Sequence, residues 1–258
     1  MIIQNNQELK TYQKGVDLAM KILLQLNHSL KPGILPIDID QLAFKLCDQH
    51  HVKPAFFGTG GKHANYQHAA CISVNDTAVH GIPSRTEVFK IGDIVKIDFG
   101  IIYQGFYTDF CVTVGLKQLT PAQTKLIQVA KKAVRASIEQ AIPGNTTGHI
   151  GNVIHAVAKK SGFDVLKQYT GHGIGKTLHD SPVIPAHGTP GQGELLQPGM
   201  VICLEAQLVT ASDQVEVSED GWSVKTVDHG PVAMFEYMVV VQDQPLVLNP
   251  TFDWPIIV

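Results

Sequence analysis

Residues 92–110 read GDIVKIDFGIIYQGFYTDF, two β-rich runs on either side of Gln104-Gly105. Strand-like runs around a two-residue, glycine-containing turn form a hairpin. With Tyr103 facing Phe106, Asp98 faces Cys111 and Asp109 faces Gly100. The two aspartates then share a face as diagonal neighbours, with backbones roughly 7 to 8 Å apart, close enough for both carboxylates to reach one ion. Asp98 lies among Ile94, Val95, Ile97 and Phe99. A carboxylate in such company is costly to bury unless it is paired or metal-bound.

Outward from the hairpin, the apolar period changes from strand to helix. Leu9, Tyr12, Val16, Met20, Leu23 and Leu24 predict a helix from 7 to about 30, and Asp38 caps a second one carrying Ile39, Leu42, Ala43 and Leu46. Thr120-Pro121-Ala122-Gln123 is a capping box with proline in the first turn, opening a third helix that Pro143-Gly144 stops. Ile150, Val153, Ile154 and Val157 give a fourth, ended by Gly162. Further β-branched runs lie at 69–74, 201–209 and 235–241, and glycine-rich loops at 58–61 and 188–193. Two helices, strands, two helices and strands again is an α+β order, not the alternation of a doubly wound sheet. Nothing resembling a linker divides the chain, so residues 1–258 are read as a single domain.

Composition narrows the function. With 20 Lys+Arg against 23 Asp+Glu, the net charge of -3 offers no basic excess for nucleic acid or an anionic membrane. No secretory leader or long apolar window is present, and Cys47, Cys71, Cys111 and Cys203 lie far apart, which predicts reduced thiols and a cytoplasmic protein.

Three further segments bear on chemistry. His172 stands in Thr170-Gly171-His172-Gly173-Ile174-Gly175, where glycines allow close backbone approach and unusual dihedrals, with His179 shortly after it. Gly175-Lys176-Thr177 looks like the end of a phosphate loop, but residue 170, where the first glycine belongs, is threonine and no β-branched run leads into it. Glu205 and Glu236 each sit in an apolar, strand-like run. Two aspartates, two glutamates and a glycine-flanked histidine form an oxygen-rich, one-imidazole ligand set for two first-row divalent ions, whose charge cancels the repulsion of four carboxylates. His80, before Gly81-Ile82-Pro83, and Trp222, in a loop between the glutamates, read as turn and packing residues by themselves. No G-x-S-x-G elbow, H-E-x-x-H helix or protease-like cysteine competes.

In order, Asn75 to Pro83, Asp98, Asp109, Gly171 to Gly175 with His179, Glu205, Gly221-Trp222 to Thr226 and Glu236 resemble the type I methionine aminopeptidases over nearly the whole chain. The order Asp, Asp, His, Glu, Glu is shared with prolidases and Xaa-Pro aminopeptidases. The His80 and Trp222 segments favour the methionine branch, and too little chain separates Glu205 from Glu236 for a type II insertion.

The resemblance implies a pita-bread α+β fold, two pseudo-symmetric halves around an antiparallel-rich sheet. It implies two divalent ions, of Co, Mn, Fe or Zn, with Asp98 a bidentate ligand of one, Asp109 and Glu236 bridging, and His172 and Glu205 on the other. A water between the ions is then the nucleophile and Glu205 the proton carrier. His80 and His179 stabilise the tetrahedral intermediate and position the peptide, and Tyr66, Cys71, Leu178 and Trp222 wall the methionine pocket. The same resemblance places a monovalent cation at Asn75 and Thr77.

The implied partners are peptide or nascent-chain N-termini, with the ribosome a candidate, and a monomer is expected. The family pattern is departed from at Cys203, Ala206, Tyr237, Leu178 and the Gly58 to His68 loop. An Xaa-Pro or other N-terminal specificity, and a pita-bread binding protein without catalysis, are the alternatives; such binding proteins typically lose ligands, and all five are present.

Overall fold

The computed structural model describes residues 1–60 and 64–258. Four α-helices form where the apolar period predicts them: α1 (Asn6–Ser29), α2 (Pro36–Gln49), α3 (Pro121–Ser137) and α4 (Thr147–Lys160). The buried stripe of α1 centres on Tyr12, Val16, Ala19, Leu23 and Leu26, with Leu9, Met20 and Leu24 half-buried along its edges. Helix α2 starts earlier than the expected Asp38 cap, because Pro36 supplies the first helical φ; the Asp38 carboxylate instead accepts from the Leu35 N–H at 3.2 Å. The capping box of α3 forms as expected: the Gln123 N–H donates to Thr120 Oγ1 at 3.2 Å and the Thr120 N–H to Gln123 Oε1 at 2.9 Å.

The hairpin register is the predicted one, with Asp98 opposite Cys111 and Tyr103 opposite Phe106, across a turn whose Gln104 and Gly105 have φ of 50° and 84°. One feature differs. The ladder breaks where Gly100 and Asp109 would pair, dividing each run into two strands, Ile94–Phe99 and Ile101–Tyr103 on one side, Phe106–Tyr107 and Phe110–Gly115 on the other. Thr108 causes the break: its hydroxyl accepts from the Ile101 N–H at 2.9 Å, and its carbonyl approaches Gly100 so closely that a Cβ there would lie 1.8 Å away.

Ala70–Val74, Ile94–Phe99 and Phe110–Gly115 form one antiparallel sheet, against which α1 and α2 pack. A second antiparallel sheet orders Asp180–Pro185, Thr170–Gly173, Val201–Val209, Val232–Val240 and Leu246–Val247, with α3 on its central strands and α4 beside Asp180–Pro185. Each half is thus a helix pair on an antiparallel sheet, the arrangement the resemblance implied. The halves meet where Phe110–Gly115 runs beside Val232–Val240. Thr113 makes that seam, its hydroxyl donating to the Met234 carbonyl and accepting from the Met234 N–H.

Two predicted strand limits need correction. The run expected at 235–241 begins at Val232, and Thr170–Gly173, which is not among the predicted strands, is one, pairing with both neighbours. A Thr-Gly-His-Gly stretch has one β-branched residue and no apolar alternation, so nothing local signals it. The four cysteines are free and buried, and no helix among the described residues is long and apolar enough to cross a membrane.

Candidate metal centre

Val201–Val209 and Val232–Val240 are antiparallel neighbours, and their register sets Glu205 directly opposite Glu236 on one face. Thr170–Gly173 lies on the other edge of Val201–Val209 and pairs His172 with Cys203. That contact demands glycine on both sides: a Cβ on Gly171 would meet the Cys203 carbonyl at 2.3 Å, and one on Gly173 the Ser181 carbonyl at 2.0 Å. Close approach is what these glycines serve; the unusual dihedrals expected of them are absent, since positive φ occurs at none of Gly171, Gly173 and Gly175. Gly171→Ala is therefore expected to force the two strands apart, costing about 3 kcal/mol in chemical denaturation. Unchanged stability would contradict the packing.

Asp109 reaches the same floor from the ladder break, with Asp98 at the end of its strand. Asp98, Asp109 and Glu236 offer carboxylate oxygens within 4.8 Å of one another, and His172 Nε2 lies 3.7 Å from Asp109 Oδ2 and 3.9 Å from Glu236 Oε1. Two ligands each about 2.1 Å from one ion stand at most about 4.2 Å apart, so these separations accommodate a shared cation. The His172 Nδ1 proton goes to the Gly173 carbonyl at 2.9 Å, leaving the Nε2 lone pair toward the carboxylates. Asp98 Oδ1, Asp109 Oδ1 and Glu236 Oε1 are buried with no hydrogen-bond partner, and among the described residues none of the four carboxylates pairs with a lysine or arginine. Orphaned oxygens facing a neutral imidazole are a donor set that fits divalent cations.

Electrostatics agree. Burial, then the mutual repulsion of the carboxylates, pushes Asp109 and Glu236 well above the usual carboxylate range. Burial also raises Asp98 and Glu205, with the Asp98 charge adding to the latter. Burial followed by the proximity of His179 lowers His172 and His80 to about 4, and burial lowers His179, so all three imidazoles are neutral at pH 7. Cys203 also approaches His172 and Glu236, but burial and the Glu236 charge raise its thiol, which stays protonated and is a poor ligand.

The floor opens into a cavity of about 600 Å³, lined by the five carboxylate and histidine residues together with His80 and His179. His179 is exposed at its rim, its ring 4.5 Å from that of His172. Beside it lies a small recess of about 60 Å³ bounded by Tyr66, Cys71, Leu178, Trp222 and the same two histidines. Trp222 stands edge-on to Tyr66 at 5.1 Å and to His80 at 6.2 Å. The residues that the resemblance assigned to the metals, to catalysis and to the methionine pocket are therefore all brought to the cavity or its recess, whereas Asn75 and Thr77 line a separate one.

Three neighbours escaped sequence reading. Phe56 and Thr59 complete the recess from a segment with no motif, and Gln207, fully buried, donates from Nε2 to Glu205 Oε2. Only the i, i+2 spacing that puts Gln207 on the Glu205 face of its strand could have signalled it. Of the departures from the family pattern, Ala206 and Tyr237 alternate to the opposite face from Glu205 and Glu236, where Tyr237 packs on Phe252 at 4.9 Å; Leu178 is in the recess. Gly58 to His68 falls partly outside the described residues.

The metallopeptidase family M24 model matches residues 10–243. The chain is 34% identical to a methionine aminopeptidase of Aquifex aeolicus across 96% of this chain and 98% of that protein, and 33% identical to methionine aminopeptidase 2 of Bacillus subtilis across 96% and 99%. Among solved structures it resembles methionine aminopeptidase from Thermotoga maritima with a TM-score of 0.91 and 34% identity, covering 96% of this chain and 99% of that one. A Xaa-Pro dipeptidase from Bacillus anthracis shares the fold, with a TM-score of 0.75 at 18% identity; this chain covers 64% of it.

Proposed function

The chain belongs to metallopeptidase family M24, and from that premise we propose that it is a metalloaminopeptidase that removes N-terminal methionine from peptides and proteins. The observation that carries the reading is the convergence of His172 with three partnerless carboxylate oxygens at the base of a cavity that opens beside a small, mostly apolar recess. Asp98, Asp109, His172, Glu205 and Glu236 would hold two divalent ions, of Co, Mn, Fe or Zn. Such ions, when bound, supply Lewis acidity that polarises the scissile carbonyl and makes a water more acidic.

The chain's own groups do the rest. Glu205, held by Gln207, takes the proton of the attacking water and delivers it to the departing amine. His80 and His179, both neutral, donate hydrogen bonds to the developing oxyanion and to the peptide. Tyr66, Cys71, Leu178 and Trp222 enclose the methionine side chain, and the Tyr66 hydroxyl, 3.0 Å from the Gly81 carbonyl, ties that wall to the turn bearing His80. The proposal extends to a single catalytic domain over residues 1–258, acting as a cytoplasmic monomer on nascent chains at the ribosome.

Metal-reconstituted protein is expected to release methionine from Met-Ala-Ser and leave an Ala-Pro peptide intact, read by chromatography of the free amino acids. The reverse ranking would replace methionine by Xaa-Pro specificity; two equivalents of bound metal with neither peptide cleaved would leave a binding protein.

A further inference from the structure

Lys96 stands two residues before Asp98 on Ile94–Phe99, and it is only 1% exposed. Its Nζ donates to the carbonyls of Asn75 at 2.8 Å and Val232 at 3.1 Å, and among the described residues it has no carboxylate ion-pair partner. A lysine normally lets its ammonium reach water along the surface; this one ends inside. Burying an ammonium costs several kcal/mol where an apolar side chain of the same volume costs none.

The two carbonyls mark where two segments of the site begin, and Lys96 itself lies on a third. Asn75 leads through Thr77–Val79 to His80, Val232 opens the strand that carries Glu236, and Lys96 shares its strand face with Asp98. Asn75 is fixed to receive the ammonium. Its φ is 49°, its Nδ2 donates to Asp93 Oδ1 and its Oδ1 accepts from the Ile94 N–H, both at 2.9 Å. Its carbonyl also accepts from the Val232 N–H at 3.0 Å. With two donors already on that oxygen, the monovalent cation implied at Asn75 and Thr77 does not fit this chain as a separate ion.

We infer that the Lys96 ammonium takes that ion's place, a built-in cation that fastens the Asn75 and Val232 carbonyls together and so positions His80, Asp98 and Glu236. The positioning half of this statement rests on the aminopeptidase reading; the fastening half does not, and thermal unfolding tests it without any peptide.

Wild-type protein in potassium, sodium and tetramethylammonium chloride at equal ionic strength is expected to unfold at one temperature and to hydrolyse Met-Ala-Ser at one rate. Lys96→Ala is expected to lose roughly 10- to 100-fold in kcat/KM, the usual effect of losing a group that orients metal ligands. It should regain Tm and activity in potassium or sodium but not in tetramethylammonium, which is too large for the space left. Lys96→Met keeps the stem, drops the charge and fills that space, so it should lose activity with no rescue by any salt. If Lys96→Ala folds too poorly to assay, the wild-type salt series and Lys96→Met decide. An alkali-specific shift in the wild type, a Lys96→Met equal to wild type in Tm and kcat/KM, or a folded Lys96→Ala indifferent to the cation would each overturn the inference. Failure of wild type to cleave Met-Ala-Ser, with the Tm pattern intact, would remove only the aminopeptidase reading.

Discussion

Glu205→Gln is expected to lower kcat for methionine release about 10³-fold, within the range for removing a positioned proton carrier, while making the metal-free protein more stable. The two effects have one origin. Glu205 is 8% exposed, directly opposite Glu236, and burial with the nearby Asp98 charge holds its carboxyl above the usual range. A neutral amide of the same size removes one of four mutually repelling groups and keeps its place in the strand, but it can neither accept the water's proton nor bind a cation with full charge. A residue with only a packing role would behave otherwise, since its replacement would lower stability and leave kcat unchanged. Peptide hydrolysis with excess divalent metal, paired with thermal unfolding in chelator, reads both quantities; full activity in the variant would remove Glu205 from the proposed mechanism.

How far the sequence reached depended on how local the cause was. The hairpin register followed from one turn, and the placement of Asp98 followed from the register; both need only the residues between 92 and 115. The α3 capping box and the stripe of α1 are equally local. The predicted register holds on either side of Asp109, yet the expected pairing with Gly100 gives way to a break that depends on Thr108 bonding back to Ile101, which no periodicity announces. The strand at Thr170–Gly173 exists because its glycines admit the carbonyls of Cys203 and Ser181, so its cause lies in chain far away in sequence. His80, Tyr66 and Trp222 are more distant still. Their residue types permit many roles, and only the resemblance assigned them to the site; the edge-on contacts joining Trp222 to Tyr66 and His80 are a product of tertiary packing. Gln207 and Lys96 carry no signal of their own, because a glutamine and a lysine in strands are ordinarily solvated, and nothing nearby in sequence shows that both ends are buried.

Stripped of divalent ions, the protein is expected to lose stability as the pH rises from about 6.5 to about 8, and to recover it on adding metal by an amount that grows over the same interval. Glu205 is pushed up to about 8 by burial and the Asp98 charge, and Asp109 and Glu236 lie well above the usual range for related reasons. An acid whose folded pKa exceeds its unfolded one keeps its proton longer in the folded state. Folding therefore holds more protons than unfolding throughout the interval, and stability falls as pH rises. Below about pH 6.5 the effect is opposed, because His80 and His172, lowered to about 4, charge more readily when unfolded. Above it those histidines are neutral in both states, and Lys96, drawn down to about 7, pulls the other way against Glu205 and the raised Asp109 and Glu236. Each proton that the folded state holds in excess lowers stability by about 1.4 kcal/mol per pH unit, which for a domain of this size is a fall in Tm of a few degrees. Divalent cations require the same carboxylates deprotonated, so the stabilisation they give must increase where the metal-free protein weakens. Thermal unfolding in chelator and in excess manganese across that interval measures both slopes, and Glu205→Gln should flatten the first. A metal-free Tm that stays level or rises with pH would mean that the four carboxylates are not crowded in solution as they are in this fold.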